Sequence, residues 1–500
     1  MFRSANRSCT TGTPTLPDEI SVPSRQPKLR PPHPSPSLRP LRNPKSALRN
    51  FPMSSASLAP AASIAPEPAL IAPAAFEAVS AKLGHLPAWW ADLKRRAWAH
   101  HLELPLPRRT DELWRFSSIQ GLRLAEPFPL AAPASSEIVA VLVSRSNLVA
   151  QKTAQAIYVN DVRISQQSLP DHLIKAGVIF DSIENAVLRH PALIQAHFMA
   201  QDSALGSEKL TSLHRALTTG GAFIYVPKGV EVNLPLVVYH WSSGTRSAVF
   251  PHTLVVAEDN AKVTVVEFRQ SASDTDTTFS AGVNDLYAGP GAHVTFISGQ
   301  RLSRTSLGFQ GNETVVQRDG RVLSLGLQLG GRQVRTESHS RLQGPGSFSQ
   351  MLSLAVAHGD QEFDQRTLQS HQVPHTGSDL LYKNALFDQA RTIFSGLIVV
   401  DAGAQKTDAY QSNRNLLCSP DAESNSLPGL EIEANDVRCT HGATNGKIDD
   451  EQMFYLAARG ISKPVAEELL VFGFFEEVLE KLENEHLRGV LRELIQSKFA

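Results

Sequence analysis

One phrase recurs in the middle of this 500-residue chain and limits what it can fold into. Asn260-Ala261-Lys262-Val263, Gly291-Ala292-His293-Val294, Gly320-Arg321-Val322 and Gly346-Ser347-Phe348 each read as a turn that opens a strand. The openings fall at residues 263, 294, 322 and 348, with spacings of 31, 28 and 26. A drifting period of this size is that of a β-solenoid, in which each coil buries an inward face on its neighbours. From about residue 220 to 435 the surrounding sequence is made of β-branched and aliphatic runs broken by Gly, Asp and Asn. Leu323, Leu325, Leu327 and Leu329, and likewise Leu352, Leu354 and Val356, alternate as a strand does and are read as inward-pointing rows. A β-sandwich with irregular loops is the alternative architecture.

Both flanks read as helical. Phe76, Val79, Leu83, Trp89, Trp90, Leu93 and Ala97 recur at three- and four-residue spacing and predict a small helical subdomain, followed by a mixed region to about residue 200. At the other end, Asp449 with Gln452 reads as a capping box and Gly460 as a helix stop. A further helix is predicted from Ser462, with Val465, Leu469, Phe472, Phe475, Leu479 and Leu482 on one stripe and Glu467, Glu468, Glu476, Glu477 and Glu480 opposite. Such an appendage either caps the solenoid or binds a partner. The predicted domains are a leader and linker over 1–75, a helical and mixed domain over 76–200, the solenoid over 201–446 and a helical domain over 447–500.

The formal net charge of -1 is a sum over unlike parts. Residues 1–52 carry nine Lys/Arg against Asp18 and Glu19, which leaves the remainder at -8. A mildly acidic body has no footprint for phosphate backbones, so nucleic-acid binding is not expected. Residues 1–52 also hold eleven prolines and no apolar period, so they are expected to be disordered. They read as sequence upstream of a start at Met53, the alternative being an organelle transit peptide. No window reaches the roughly 18 apolar residues of a membrane span, and insertion is not expected. Cys9, Cys418 and Cys439, an odd and scattered set, do not form a disulfide framework and point to a reducing compartment.

Enzyme signatures are scarce. Gly442-Ala443-Thr444-Asn445-Gly446-Lys447 imitates a phosphate loop but is one residue short, and Ile448 stands where a hydroxyl should hold magnesium, so no bound nucleotide is expected. There is no G-x-G-x-x-G and no G-x-S-x-G. His371 and His375 are four apart, but Pro374 disfavours the helix that would make them a metal pair, and they are read, with His339 and His358, as polar loop histidines. Cys439 and His441 are different. They stand at i and i+2 of a strand-like run, on one face, and a thiol beside an imidazole suits iron or zinc. Such centres usually need four ligands, so two make half a site unless they are simply a core pair, and a partner chain is the natural donor of the rest.

The run from Asp436-Val437-Arg438-Cys439-Thr440-His441-Gly442-Ala443-Thr444 through Gly446-Lys447-Ile448-Asp449-Asp450-Glu451-Gln452-Met453-Phe454-Tyr455-Leu456 to Arg459-Gly460-Ile461 closely resembles the signature of the SufB/SufD family of iron-sulfur cluster assembly proteins. Tyr382-Lys383-Asn384-Ala385, Phe394-Ser395-Gly396-Leu397-Ile398, Ala404-Gln405-Lys406-Thr407-Asp408 and the block Arg109–Phe116 extend the likeness from about residue 76 to the C-terminus. Gly442 stands where the SufB pattern has glutamate, and the extra cysteines of that branch are missing, so the likeness is to the SufD branch. The resemblance implies a mainly β fold, a right-handed parallel β-helix flanked by N- and C-terminal helical domains. It implies a non-catalytic cytoplasmic scaffold (plastid, if the leader is a transit peptide), paired with a SufB-like subunit and bound by a SufC-like ABC ATPase at its C-terminal helices, where Phe472, Phe475 and Leu479 would dock. It further implies that His441, with Cys439 beside it, takes part in holding a transient iron-sulfur cluster at the interface with SufB. A solenoid carbohydrate-active enzyme and a self-sufficient SufB-like scaffold are the competing readings. The first would need acids and bases clustered on one face and an export signal, whose apolar core the leader lacks.

Overall fold

The computed structural model describes residues 70–108, 110–118 and 126–499. The predicted leader and its Cys9, most of the linker, and Arg109 lie outside the described residues. In chain order the elements are α1 (Ala74–Ser80), α2 (Ala88–Glu103), α3 (Ser136–Arg145), β1 (Ala154–Val159), β2 (Val162–Gln166), α4 (Asp171–Lys175), β3 (Ile179–Ser182), α5 (Ile183–Arg189), α6 (Pro191–His197) and α7 (Glu208–Leu217). There follow β4 (Ala222–Val226), β5 (Leu236–Ser242), β6 (Ser247–Val249), β7 (His252–Ala257), β8 (Lys262–Ser271), β9 (Thr278–Ala288), β10 (His293–Arg301), β11 (Leu307–Val316), β12 (Arg321–Gln328) and β13 (Gln333–Leu342). The chain ends with β14 (Phe348–Ala357), β15 (Glu362–His371), β16 (Gly377–Leu386), β17 (Arg391–Val400), β18 (Asp408–Leu417), β19 (Glu423–Ile432), β20 (Arg438–Lys447), α8 (Asp450–Ala458), α9 (Lys463–Leu479) and α10 (Glu485–Gln496).

From β4 onward the strands alternate between two sheets. One runs β5-β8-β10-β12-β14-β16-β18-β20 and the other β4-β7-β9-β11-β13-β15-β17-β19, all parallel, which makes a solenoid of about eight coils. At the early end β1 and β2, and β3 and β4, pair antiparallel, so each sheet stops there on a reversal. The recurring phrase is the corner of each coil. Strands opening at Lys262, His293, Arg321, Phe348, Gly377, Asp408 and Arg438 lie one on another in register, with coil lengths between 27 and 31 residues. Six successive corners turn through a left-handed residue: Asn260 (φ 54°), Gly291 (68°), Asp319 (58°), Gly346 (77°), His375 (60°) and Lys406 (62°). Each donates its backbone N–H to a carbonyl of the following corner at 2.6 to 3.0 Å, so successive corners are hydrogen-bonded to one another as the strands are. Glycine takes this conformation freely, and Asn and Asp pay little for it. The sandwich alternative is thereby set aside.

One expectation is reversed. The core between the sheets is built from Val263, Val265, Val294, Phe296, Val322, Leu286 and Val316. Because Val322 is inside, the pleat turns Leu323, Leu325, Leu327 and Leu329 outward, and with them Leu352, Leu354 and Val356, which stand in register beside them. These rows are buried all the same, beneath Val471, Phe475, Val478 and Leu479 of α9 and Leu491, Leu494 and Ile495 of α10. The C-terminal helices therefore cover this sheet's outer face. Leu210, Leu213 and Leu217 of α7 and Trp90 of α2 cover the other sheet at Leu254, Phe279, Val283 and Phe309. Fully burying a side chain of this size contributes about 1.5 to 3 kcal/mol, which is why apolar rows on both faces of a strand demand helices on both flanks.

The block before Phe116 acts as a strap. The Trp114 ring lies 3.8 Å from the Arg335 guanidinium, whose Nη2 donates to the carbonyls of Leu113 (2.9 Å) and Leu205 (2.8 Å). Asp364 accepts from Arg335 (2.5 Å), Arg366 (2.6 Å) and Ser117 (2.5 Å). Burial pushes the Asp364 carboxyl up, but Arg335 and Arg366 outweigh it and hold the group below the usual carboxylate range.

Candidate functional site: the open end of the solenoid

The late end of the solenoid is built differently from the early one. β20 pairs with β18, and β19 with β17, and in both sheets the order stops there with no reversal. Most of β20 is exposed. Two ten-residue strands thus offer one edge each, a form of surface that ordinarily recruits another strand.

Cys439 and His441 lie on this edge. Cys439 is in register with Ala409, and His441 with Gln411, both of which are buried between the sheets. In-register stacking preserves the pleat, so both side chains point along the inner face, over the end of the core, as their i and i+2 spacing predicts. The His441 side chain is exposed, whereas Cys439 is half-buried against Ile398, Val400, Ala409 and Ala434. Burial raises the Cys439 thiol above its ordinary value, against a hydrogen bond from the Ala409 backbone. Asp436, at the corner before the pair, is tied to the previous coil by an ion pair with Lys406 and by its N–H to Gln405 Oε1 at 2.9 Å. A ladder of stacked amides, Asn384 to Asn415 (2.8 Å) and Asn415 to Asn445 (2.9 Å), fixes the register of the same strands further along. Among the described residues no three His, Cys, Asp or Glu side chains converge as a metal site. What the open end offers is a thiol and an imidazole on one face of a strand whose outer edge is unpaired.

The other expected residues fall elsewhere. Phe475 and Leu479 are fully buried, and Phe472 is half-buried, against the chain's own outer leucine rows. They cannot form a docking stripe, because the sheet beneath has already taken that face. The apolar side chains left exposed on this hairpin are Phe454, Tyr455, Val465 and Leu469. Asp449 caps α8 by accepting from Glu451 N (2.8 Å), and Gly460 (φ 80°) ends the helix with Gly460 N–H to Ala457 O and Ile461 N–H to Leu456 O. Cys418 sits at a corner, half-buried, lining with Lys447, Asp450, Met453, Lys463 and Glu467 a cavity of about 200 Å³ between the last coils and α8–α9. Burial, and then Glu467, push its thiol up to about 12. His339 and His371 are not loop residues but buried strand residues, hydrogen-bonded to Ser370 (2.8 Å) and to Thr376 and Ser378 (both 2.8 Å). Gly442–Lys447 is extended strand and makes no cradle.

Sequence reasoning missed Lys383. Its Nζ, buried on the outer face of β16, donates to Phe474 O of α9 (2.7 Å) and pairs with Glu477 (2.5 Å), which Arg414 of β18 also reaches (2.9 Å). It missed Arg335, Glu337, Asp364 and Arg366 as well. Opposite charges alternating on strands that are otherwise buried are the signal that marks them.

Fold and site together define a parallel two-sheet solenoid, covered by helices along its flanks and ending in two strands with open outer edges, one of which carries Cys439 and His441. The comparisons with known proteins carry this further. Residues 240–474 match the SUF system FeS cluster assembly SufBD core domain, and residues 90–238 match the SufBD protein N-terminal region. The chain is 30% identical over 420 residues to the iron-sulfur cluster assembly protein SufD of Bacillus subtilis, covering 82% of this chain and 94% of that one. It is 29% identical over 392 residues to SufD of Escherichia coli, covering 77% and 88%. A SufBD family protein of Synechocystis is 28% identical over 404 residues, covering 79% and 88%. The chain belongs to the SufBD family of iron-sulfur cluster assembly proteins.

Proposed function

We propose that this chain is a SufD-type, non-catalytic scaffold subunit of a SufBCD complex, in which a SufB-like partner completes a nascent-cluster site begun by His441 and Cys439. The open solenoid end carries the reading: two donors on the inner face of a strand whose outer edge is unpaired are positioned to be completed by a second solenoid. The cluster is cargo, held briefly. His441 is the exposed ligand, and Cys439, half-buried, lies behind it. An ABC ATPase of the SufC type would bind the exposed side of the α8–α9 hairpin at Phe454, Tyr455, Val465 and Leu469. The bacterial origin of the SufD relatives supports a cytoplasmic place. Among the described residues no helix is long and apolar enough to cross a membrane. His441→Ala, a substitution at an exposed site, is expected to leave folding and assembly with both partners intact while cluster formation in the reconstituted complex falls. A variant complex that assembles clusters at the parent rate would refute the site.

A further inference from the structure

The open end carries a row of amides that stops one hydrogen bond short. Along the inner face of one sheet, Asn384 of β16, Asn415 of β18 and Asn445 of β20 stand in register on successive coils. Their side chains point one way: Asn384 Nδ2 donates to Asn415 Oδ1 (2.8 Å), and Asn415 Nδ2 to Asn445 Oδ1 (2.9 Å). Gln365 of β15 closes the row at its buried end by exchanging two hydrogen bonds with Asn384, both 3.1 Å. Asn413 Oδ1 and Ser426 Oγ also accept from Asn415, at 2.8 and 3.3 Å. Asn384 and Asn415 are buried, whereas Asn445 is exposed on the last strand. Its Oδ1 is taken by Asn415, and among the described residues its Nδ2 reaches only Ser424 O, at 3.5 Å, the far limit of a hydrogen bond. By repetition of the row, the next acceptor belongs one strand beyond β20, outside this chain. Stacked Asn and Gln side chains form such ladders where strands add in register.

We infer that Asn445 sets the register of the partner's strand on β20, its Nδ2 donating to the side-chain carbonyl of an Asn or Gln on that strand. This rests on the function proposed above, and it names the contact by which the partner is aligned with His441. Backbone pairing alone does not align it. A strand shifted by two residues along an edge keeps the main-chain hydrogen-bond pattern and the facing of every side chain, so such registers are close in energy. A polar group satisfied in a single register breaks the tie, which is the best-attested use of lone polar side chains at paired surfaces. A lost hydrogen bond and a stranded amide together disfavour the wrong register by roughly tenfold or more. The consequence for the site is geometric. Asn445 and His441 lie four residues apart on one strand, on the same face. A two-residue slip carries the partner's donors about 6.6 Å along β20, whereas metal–ligand bonds hold their lengths to within about 0.2 Å. Asn445 is a positioning residue: it touches the partner and not the cargo.

The test uses the complex of the full chain with its SufB-like and ATPase partners. A benzophenone photo-crosslinking residue is placed at Thr440, exposed on the other face of β20, and mass spectrometry maps the partner position it captures. Cluster formation is measured in parallel on complexes without the crosslinker. The parent is expected to capture a single position. Asn445→Asp keeps the acceptor that Asn415 uses and removes the outward donor, and Asn445→Ala removes both. Both variants are expected to spread capture over positions two residues apart and to lower cluster yield about twofold to threefold, the share lost to wrong registers, with partner affinity within about tenfold of the parent's. Capture at one unchanged position in both variants overturns the inference. So does complete loss of the partner, which would make Asn445 a source of affinity rather than of register. If only Asn445→Asp slips, its charge is the cause and the inference falls. His441→Ala is run alongside with Asn445 intact. If it lowers cluster yield while the Asn445 variants stay in register, only the alignment is wrong. If nothing is captured from Thr440 even in the parent, the partner does not pair with β20, and the proposed site and the alignment fall together.

Discussion

At the scale of single residues, burial separates the two cysteines. A thiol pushed up to about 12, as at Cys418, is thiolate at pH 8 about a thousandfold less often than an ordinary cysteine. Cys439 is shifted in the same direction but only half-buried at an open edge. Iodoacetamide at pH 8, followed by peptide mass spectrometry, is expected to label Cys439 well before Cys418. Equal rates would show that Cys418 is not shielded as described. That Cys439 and His441 share a face was legible in the sequence, because a strand has a period of two whatever surrounds it. That they face the end of the core was not, since this depends on the register of β20 on β18 and so on the whole stack.

At the scale of elements, alternation was legible and its direction was not. Leu323 to Leu329 show a strand with one apolar face, but Val322 and its row are apolar too, and no local signal tells inside from outside when helices cover the outside. The same ambiguity misassigned Phe475 and Leu479, whose stripe fits a partner's groove or the chain's own sheet equally well. Phe475→Ala is expected to cost about 3 to 5 kcal/mol in denaturant unfolding, with loss of hydrogen-exchange protection in α9. If stability is unchanged and only affinity for the ATPase falls, Phe475 belongs to a docking surface after all. Lys383 escaped notice because a lone lysine in a strand ordinarily signals an exposed edge, and only the carbonyl of Phe474 and the carboxylate of Glu477 give it a buried place.

At the scale of the whole molecule, several buried imidazoles make the fold acid-labile. Burial lowers His101, His240 and His371 to about 4 and His339 to about 3. A histidine lowered in the fold adds stability that is complete above its unfolded value and is lost as pH falls toward the folded one, so each costs about 2 kcal/mol by pH 5. Asp161, raised to about 7 by burial, and Glu313 and Glu362, which burial also raises, work in the opposite sense, but His214 and His358 are lowered as well, and three carboxyls do not offset six imidazoles. The melting midpoint by circular dichroism is expected to fall between pH 7 and pH 5, and a flat or rising profile would contradict neutral burial. The coil corners have a different bearing, on ancestry and engineering. Strands stay in register while coils range from 27 to 31 residues, so every difference in length is absorbed at a corner. Insertions and deletions among distant relatives should gather there, and a fluorophore or affinity tag spliced into a corner would ride on the solenoid without shifting a single rung.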